Sequence, residues 1–312
     1  MKEYLIELPG AEAFLHGHFG ANVQSIQELG RGEWSVAFAY RFDGHDYVAR
    51  FGLFDEDFLR DRIVAKYASE RLPLPQIVEI GRYKNGFFAI SERAYGHFLD
   101  RLAENAMRTA LPNLLETLDA VKEIELNDTS GFGGWDSRGM APHASWQDAL
   151  LDVVNDRPEK RIHGWRKSLE EVPANLALFE QAAALFATKV ALCPNERHLI
   201  HNDLLNRNIL VENNRVTAML DWGDSRYGDY LYDLAHLLYW WPWFTQWRNI
   251  DIQGEIEQHY QTKMVDVKDF YERLQCYQMH IGLDSMAYHG YTKRWDHFEW
   301  SVKRTFEVAR SK

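Results

Sequence analysis

The sequence has 312 residues, of which 46% are apolar and 14% aromatic, and a formal net charge of −11. This length and apolar content allow one large core or two moderate ones. The acidity disfavours binding to the phosphate backbone of nucleic acids, which requires basic surfaces. It favours a cationic partner, because an acidic surface raises the local concentration of positive solutes, although −11 is also an ordinary solubility charge.

Cysteine content and hydropathy indicate the cellular compartment in which the protein is expected. The two cysteines, Cys193 and Cys276, are too few for a disulfide scaffold and indicate a reducing environment. The first residues, MKEYLIE, lack the continuous apolar stretch of a signal peptide. No segment approaches the ~20 apolar residues that a spanning helix needs. We therefore expect a cytoplasmic protein that binds neither membranes nor nucleic acid.

The first third of the chain has the residue pattern of β-strands. The predicted strands are Val23–Leu29, Ser35–Phe42, His45–Phe51, Ile77–Gly81 and Phe87–Ser91. Between the third and fourth strands, helical spacing runs from Asp55 to Arg71 and is stopped by Pro73 and Pro75.

Helical patterns dominate the rest of the chain. They cover about 109–126, 145–155, 175–192, 229–240, 252–263, 267–280 and 294–309. One strand pair at about 209–220, with a turn at Asn213-Asn214, interrupts them, and Arg93–Gly96 is the expected connector. This order predicts an α+β, two-lobed protein-kinase-like fold. Residues 1–95 would form a small β-rich nucleotide-binding lobe, and residues 96–312 a larger, mostly helical lobe with the catalytic loop and the substrate pocket.

The segment 198–222 carries the clearest chemical pattern. An apolar run leads into His201 and Asp203, Asn208 follows, and a second apolar run ends at Asp221. Phosphoryl transfer needs a carboxylate near the attacking hydroxyl, and oxygen ligands for the magnesium bound to the nucleotide. We therefore predict Asp203 as the catalytic base, Asn208 and Asp221 as magnesium ligands, and His201 as a residue that orients the loop. Each of them alone would be read as a turn or cap residue.

These residues carry a resemblance to a known family. His201–Leu204 with Asn208 resembles the catalytic loop of the aminoglycoside phosphotransferases, and Leu220–Trp222 resembles the metal-binding motif that follows it. Further matching blocks are Tyr47–Arg50, Thr129–Gly133, Trp240–Trp243 and Ile281–Asp284. They run in order from about Gly30 to about Trp300, so the resemblance covers nearly the whole chain. It implies a magnesium-requiring transferase that uses ATP or GTP to phosphorylate a small cationic aminocyclitol, with hygromycin B the expected acceptor. We also expect a monomer.

The phosphate-binding groups are expected in the first lobe. Gly30, Gly32 and Ser35 lie between two predicted strands, where glycines let backbone N–H groups approach phosphates. Such a turn is by itself more often a simple hairpin. Kinase-like enzymes usually carry Lys at the position of Arg50, and the resemblance implies that Arg50 holds the phosphates while Asp61 pairs with it. Arg is suited to this role because it binds phosphate in a bidentate manner.

The acceptor side is expected in the second lobe. Glu125, Trp240 and Trp243 match substrate-binding positions of the relatives that the chain resembles, and the indole rings would offer flat faces to a sugar or an ammonium group. Alternatively, the tryptophans belong to the core and Glu125 to a solvated helix end. Asp229 and Asp233 are expected to brace the catalytic loop without touching the substrate.

Two absences favour a small-molecule acceptor over a protein. Asn202 stands where many protein kinases have an Arg that binds an activation-loop phosphate, and only seven residues separate Asp221 from Asp229. Two alternatives stay open. One is a kinase of another small alcohol, such as choline, homoserine, a methylthiopentose or a macrolide sugar. The other is a catalytically silent kinase-fold binding protein.

Overall fold

The computed structural model describes residues 6–311, which form two compact units. The first unit consists of the residues up to Leu102 together with Asn206–Asp224. The second consists of Ala103–Leu205 together with the residues from Ser225 onward. The segment 206–224, which contains two of the predicted site residues, therefore packs with the amino-terminal part of the chain.

The first unit is built on a five-stranded antiparallel sheet. Its strands are β1 (Gln24–Arg31), β2 (Ser35–Phe42), β3 (His45–Gly52), β4 (Ile77–Tyr83) and β5 (Gly86–Glu92), in the order β1-β2-β3-β5-β4. Helix α1 (Leu8–Phe19) precedes the sheet, and helix α2 (Asp55–Val64) connects β3 to β4. The five predicted strands are therefore confirmed.

Two helices of this unit differ from the prediction. Helix α1 was not predicted, because its two glycines lower helix propensity; burial of Ala11 and Leu15 in the core stabilises it instead. Helix α2 ends at Val64, with a 3-10 turn to Tyr67, instead of reaching Arg71. The chain leaves the helix there because it must become extended to bury Leu72 beside the prolines.

The remaining elements alternate between long helices and short strands. In chain order they are β6 (His97–Phe98), α3 (Glu104–Lys122), β7 (Gly133–Gly134), α4 (Trp146–Leu151), α5 (Trp165–Glu170), α6 (Pro173–Ala187), β8 (His198–Ile200), β9 (Ile209–Glu212), β10 (Arg215–Met219), β11 (Arg226–Gly228), α7 (Leu231–Trp240), α8 (Ile252–Thr262), α9 (Phe270–Thr292) and α10 (Trp295–Arg310). Strands β9 and β10 form the predicted hairpin, and Asn213 and Asn214 in its turn have φ values of 51° and 63°.

The second unit is organised around helix α9, which α5, α6, α7 and α10 contact, and has a small sheet in the order β7-β11-β8. Helix α9 continues to Thr292, well beyond the predicted end at residue 280. Burial on most of its faces removes the one-sided apolar pattern that reveals a helix in a sequence. Across residues 6–311, no helix combines the length and the apolarity that crossing a bilayer requires.

Candidate active site

A β-hairpin brings the two predicted magnesium ligands together. Asn208 lies directly before β9, Asp221 lies two residues after β10, and the antiparallel pairing joins these ends. The backbone N–H of Leu220 donates to the carbonyl oxygen of Asn208 at 2.7 Å, which closes the open end of the hairpin. One amide and one carboxylate, both hard oxygen donors, thus lie at one end of a two-stranded element, and this pair fits a magnesium ion.

Helix α2 holds the segment that begins with Asp221. The backbone N–H of Trp222 donates to Asp61 Oδ1 at 2.8 Å, and the Arg60 guanidinium donates to the carbonyl oxygen of Gly223. A Cβ on Gly223 would lie 2.8 Å from Asp57 Oδ1, so a larger residue requires the Asp57 side chain to move. The spacing of Asp57, Arg60 and Asp61 places these side chains on one face of α2. Sequence reasoning had identified only Asp61.

Arg50 connects the sheet to the same segment. As predicted, its guanidinium forms an ion pair with Asp61, and its Nη1 lies 3.8 Å from Asp221 Oδ1. Burial works against the charge on Arg50, but Asp61 and Asp221 outweigh it and raise the pKa of the guanidinium. The pKa of Asp221 is raised to about 7. The main cause is the loss of hydration among the surrounding atoms, although 46% of the side chain is exposed, and Arg50 opposes the shift.

The predicted glycine turn lies at the same end of the sheet as Arg50. Gly32 N–H donates to the Ser35 carbonyl oxygen at 2.8 Å, and β2 and β3 pair so that Ser35 faces Gly52, two residues from Arg50. Arg207, which sequence reasoning missed, reaches this turn: its Nη1 lies 3.9 Å from the position of a Cβ on Gly30. The first unit therefore places the Arg50 and Arg207 guanidinium groups at the end of the sheet that carries the glycine turn.

Strand β8 leads into the predicted catalytic loop of the second unit. The backbone N–H groups of His201 and Asn202 both donate to the Asp233 carboxylate, each at 2.8 Å. The Asp203 N–H donates to His201 Nδ1 at 3.3 Å, which is the bond expected of an orienting histidine. Burial raises the pKa of Asp233 to about 6, while the two N–H groups lower it.

The bracing prediction is therefore confirmed for Asp233 and wrong for Asp229. The Asp229 carboxylate pairs instead with the Arg273 guanidinium, 2.7 Å from its Nη2, and accepts a hydrogen bond from the Tyr277 hydroxyl. Because Asp229 is fully buried, it needs these partners from helix α9, and its contacts anchor the start of α7.

Helix α7 links the catalytic loop to the predicted acceptor residues. Asp233, His236 and Trp240 are spaced i, i+3 and i+7, so they lie on one face of the helix, about 10 Å from end to end. Trp243 is 40% exposed and Trp240 half-buried, whereas the intervening Trp241 is buried. The alternative that these tryptophans belong to the buried core therefore fits Trp241 and does not fit Trp243.

Glu125 lies beyond the end of helix α3. It is exposed, and its carboxylate accepts a hydrogen bond from Asn127 Nδ2 at 3.2 Å. The Lys122 carbonyl oxygen at the end of α3 contacts His198 Nδ1 at 3.0 Å, which places this helix end at the start of β8. The catalytic loop follows the other end of that strand.

The predicted site residues thus fall into two groups, one in each compact unit. Those of the first unit are Gly30, Gly32, Ser35, Arg50, Asp61, Asn208 and Asp221. Those of the second are Glu125, His201, Asp203, Trp240 and Trp243. The first group has the chemistry to hold phosphates and a metal ion, and the second has a braced carboxylate loop and exposed indole rings.

This arrangement is that of a phosphotransferase, and the comparison with protein families agrees. The model of the phosphotransferase enzyme family (APH) matches residues 26–264, so the chain belongs to that family. The predictions of an α+β, kinase-like fold and of a transferase enzyme are confirmed.

Individual relatives extend over the whole chain. A hygromycin-B 4-O-kinase from Escherichia coli is 28% identical over 314 residues, covering 100% of this chain and 88% of that protein. The crystal structure of a thermostable mutant of the aminoglycoside phosphotransferase APH(4)-Ia, in ternary complex with AMP-PNP and hygromycin B, is 28% identical. It has a TM-score of 0.83 and covers 96% of this chain and 97% of its own. Spectinomycin phosphotransferase APH(9)-Ia, at 12% identity and a TM-score of 0.64 over 97% of this chain and 98% of its own, shares the fold.

Proposed function

We propose that this phosphotransferase transfers the γ-phosphoryl group of ATP to a hydroxyl of an aminocyclitol antibiotic, with hygromycin B as the acceptor. The observation that carries the proposal is the group formed by Asn208 and Asp221 at the open end of the β9–β10 hairpin, with Arg50 beside it. The relatives that bind AMP-PNP and hygromycin B, or are named for its phosphorylation, support the choice of nucleotide and acceptor.

The nucleotide side of the proposal uses the first unit. The backbone of the turn around Gly30 and Gly32, the Ser35 hydroxyl and the Arg50 guanidinium would bind the phosphates. Asn208 and Asp221 would hold a magnesium ion, which supplies charge neutralisation on the phosphate oxygens when bound. Asp61 would hold the Arg50 guanidinium and the Trp222 backbone in a fixed relative position. We extend the proposal to residues 1–95 as the nucleotide-binding lobe and residues 96–312 as the helical lobe that carries the catalytic loop and the substrate pocket.

The acceptor side uses the second unit. A substrate hydroxyl would hydrogen-bond to Asp203 and attack the γ-phosphorus as its proton passes to that carboxylate. A new O–P bond forms while the bond to the β-phosphate oxygen breaks, and ADP leaves. Trp240 and Trp243 would contact the sugar rings, and Glu125 would attract an ammonium group. Because the groups are fixed in advance, catalysis would come from positioning and charge neutralisation.

The direct test is an acceptor panel with purified protein. ATP or GTP, with magnesium, is offered with hygromycin B, kanamycin, a macrolide, choline or homoserine, and phosphorylated products are identified by mass spectrometry. We expect transfer to hygromycin B, abolished by chelation of magnesium. Transfer to choline or homoserine instead would select the other-alcohol alternative, and nucleotide binding without turnover on any acceptor would select the silent binding protein.

The role of Asp203 has its own variant. Asp203→Asn should lower the rate of transfer by about 100-fold or more, the range for removal of a general base. Asp266→Asn, at an exposed position, is the matched control. If the Asp203 variant keeps most of the wild-type rate, the proposed catalytic role is wrong. We also propose that the protein acts in the cytoplasm as a monomer. Expression in sensitive bacteria, with growth measured on hygromycin B and kanamycin, tests whether the reaction takes place inside the cell.

A further inference from the structure

Three tryptophans of the second unit form an aromatic corner, defined here as Trp240, Trp243 and Trp300. The rings of Trp240 and Trp300 are parallel, at an interplanar angle of 4° with centroids 5.3 Å apart. Trp243 stands perpendicular to both: its ring makes an angle of 88° with Trp300 at 5.0 Å and 85° with Trp240 at 6.3 Å. The corner therefore presents aromatic ring faces in two perpendicular directions.

The geometry of the corner is one that indole rings favour. Parallel rings with centroids 5.3 Å apart are offset along their planes, and offset and edge-to-face pairs match the negative face of one ring with the positive edge of another. Trp300, which belongs to helix α10, therefore fixes the orientation of both tryptophans that the acceptor would contact. His297, one turn earlier on the same helix, packs against Trp243 at 5.0 Å.

Helix α10 is attached to the end of α7 that carries Trp240. Arg304 Nη2 donates to the Leu238 carbonyl oxygen at 2.9 Å, and its Nε donates to the Tyr239 carbonyl oxygen at 3.2 Å. These carbonyl groups belong to the last turn of α7, where carbonyl groups have no hydrogen-bond partner within their own helix. The Tyr239 hydroxyl in turn donates to the carbonyl oxygen of Ser301 at 3.2 Å. The two helices therefore hold Trp240 and Trp300 in a fixed relation.

We propose that Trp300 is a positioning residue for the acceptor, acting through Trp240 and Trp243; this rests on the proposed function. A ring held in one orientation by two neighbours loses little conformational entropy when a sugar or an ammonium group packs against it. Trp300 also adds a second aromatic ring parallel to Trp240, which increases the attraction of the corner for a cation. An acceptor of this chemistry, with flat apolar ring faces and ammonium groups, fits such a corner.

The test compares three variants with the wild type. Trp300→Leu removes the aromatic face and keeps apolar volume, Trp300→Phe keeps a smaller face, and Trp295→Leu is the control on the same helix, where Trp295 contacts Phe298 at its edge. The measurements are kcat and KM for hygromycin B, KM for MgATP, the thermal unfolding midpoint, and the near-ultraviolet circular dichroism produced by coupled indoles.

We expect Trp300→Leu to raise KM for hygromycin B about tenfold, because Trp240 or Trp243 then loses its aligned contact with the acceptor. KM for MgATP should stay within twofold, and the indole coupling signal should weaken. Trp300→Phe should recover most of the affinity, and Trp295→Leu should leave acceptor KM unchanged.

Three results would overturn the positioning role. They are an acceptor KM within twofold of wild type in a folded Trp300→Leu protein, equal losses for hygromycin B and MgATP, or no recovery by Trp300→Phe. Wild-type protein that neither binds nor phosphorylates any aminocyclitol would reject the proposed function itself, and this inference with it. Wild-type activity that Trp300→Leu leaves intact would reject the inference alone.

Discussion

Arg50 and Asp61 form an ion pair between strand β3 and helix α2, and the other oxygen of Asp61 accepts the Trp222 N–H at 2.8 Å. The pair therefore connects the predicted phosphate-binding cation to the backbone that follows the predicted metal ligand Asp221. Both residues are largely buried, with side-chain exposures of 17% and 6%, so each depends on the other for a counter-charge.

Exchanging both members of this pair should be less harmful than exchanging either one. Arg50→Lys shortens the cation and Asp61→Glu lengthens the carboxylate, so each alone should lower kcat/KM for MgATP by about 10- to 100-fold through a lost charged hydrogen bond. The double variant should recover part of the loss, with a coupling energy of about 1 kcal/mol or more. Arg41→Lys, at an exposed position of β2, is the control. Purely additive losses would show that the two residues act independently.

Asp233 should govern the rate through the catalytic loop. Its carboxylate accepts both the His201 and Asn202 N–H groups, whereas the amide of Asp233→Asn accepts one and turns an NH₂ toward the other. Loss of a buried, charged hydrogen bond costs about 1.5–3 kcal/mol, so kcat should fall roughly 10- to 100-fold. The measurement is kcat at saturating substrates, with Asp296→Asn, an exposed residue of α10, as the control. A variant with more than half of the wild-type kcat would contradict the bracing role.

Local patterns in the sequence were sufficient for the sheet and the hairpin. Strand β2 runs apolar over most of its length, and Asn213-Asn214 is a turn signal that needs no tertiary information. The spacing of Asn208 and Asp221 around that turn already placed both at one end of the hairpin. The bracing role of Asp233 followed from the resemblance. The resemblance also suggested a bracing role for Asp229, which its contacts with Arg273 do not support.

Contacts between distant segments decided what the sequence could not show. Helix α1 depends on packing against the sheet, and α9 is buried on too many faces to show a periodic pattern. Arg60 and Trp300 have ordinary helical contexts, and their importance lies in contacts with Gly223 and Trp240, 163 and 60 positions away. Such pairs become visible only when the chain is folded.

Gly223 should tolerate no side chain. A Cβ would lie 2.8 Å from Asp57 Oδ1 and 3.1 Å from its Cβ, so Gly223→Ala must turn the Asp57 side chain aside and shift helix α2 or the segment after Asp221 slightly. We expect KM for MgATP to rise by about tenfold, equivalent to ~1.4 kcal/mol of lost binding. Gly17→Ala is the matched control, because nothing lies within 4 Å of its Cβ and alanine favours the helix by about 0.5–1 kcal/mol. Unchanged nucleotide affinity in Gly223→Ala would mean that this contact is not needed for the site.

The pH dependence of stability should report on a buried histidine. Burial lowers the pKa of His289 to about 4, with help from His297 and Arg294, and its Nδ1 is buried with no hydrogen-bond partner among residues 6–311. Because the folded-state pKa lies below the ordinary value of about 6.5, the unfolded chain takes up a proton first as the pH falls. Stability is therefore lost from about pH 6.5 downward, until the folded protein also becomes protonated near pH 4.

Replacing His289 with Leu removes that titration. At pH 5 the linkage amounts to about 2 kcal/mol, so His289→Leu should be more stable than the wild type by about that amount, while the two should agree within about 1 kcal/mol at pH 7.5. Urea unfolding at both pH values provides the measurement. His45→Leu, at an exposed position of β3, is the matched control for the loss of an imidazole. Parallel pH profiles for His289→Leu and the wild type would show that another group governs acid sensitivity.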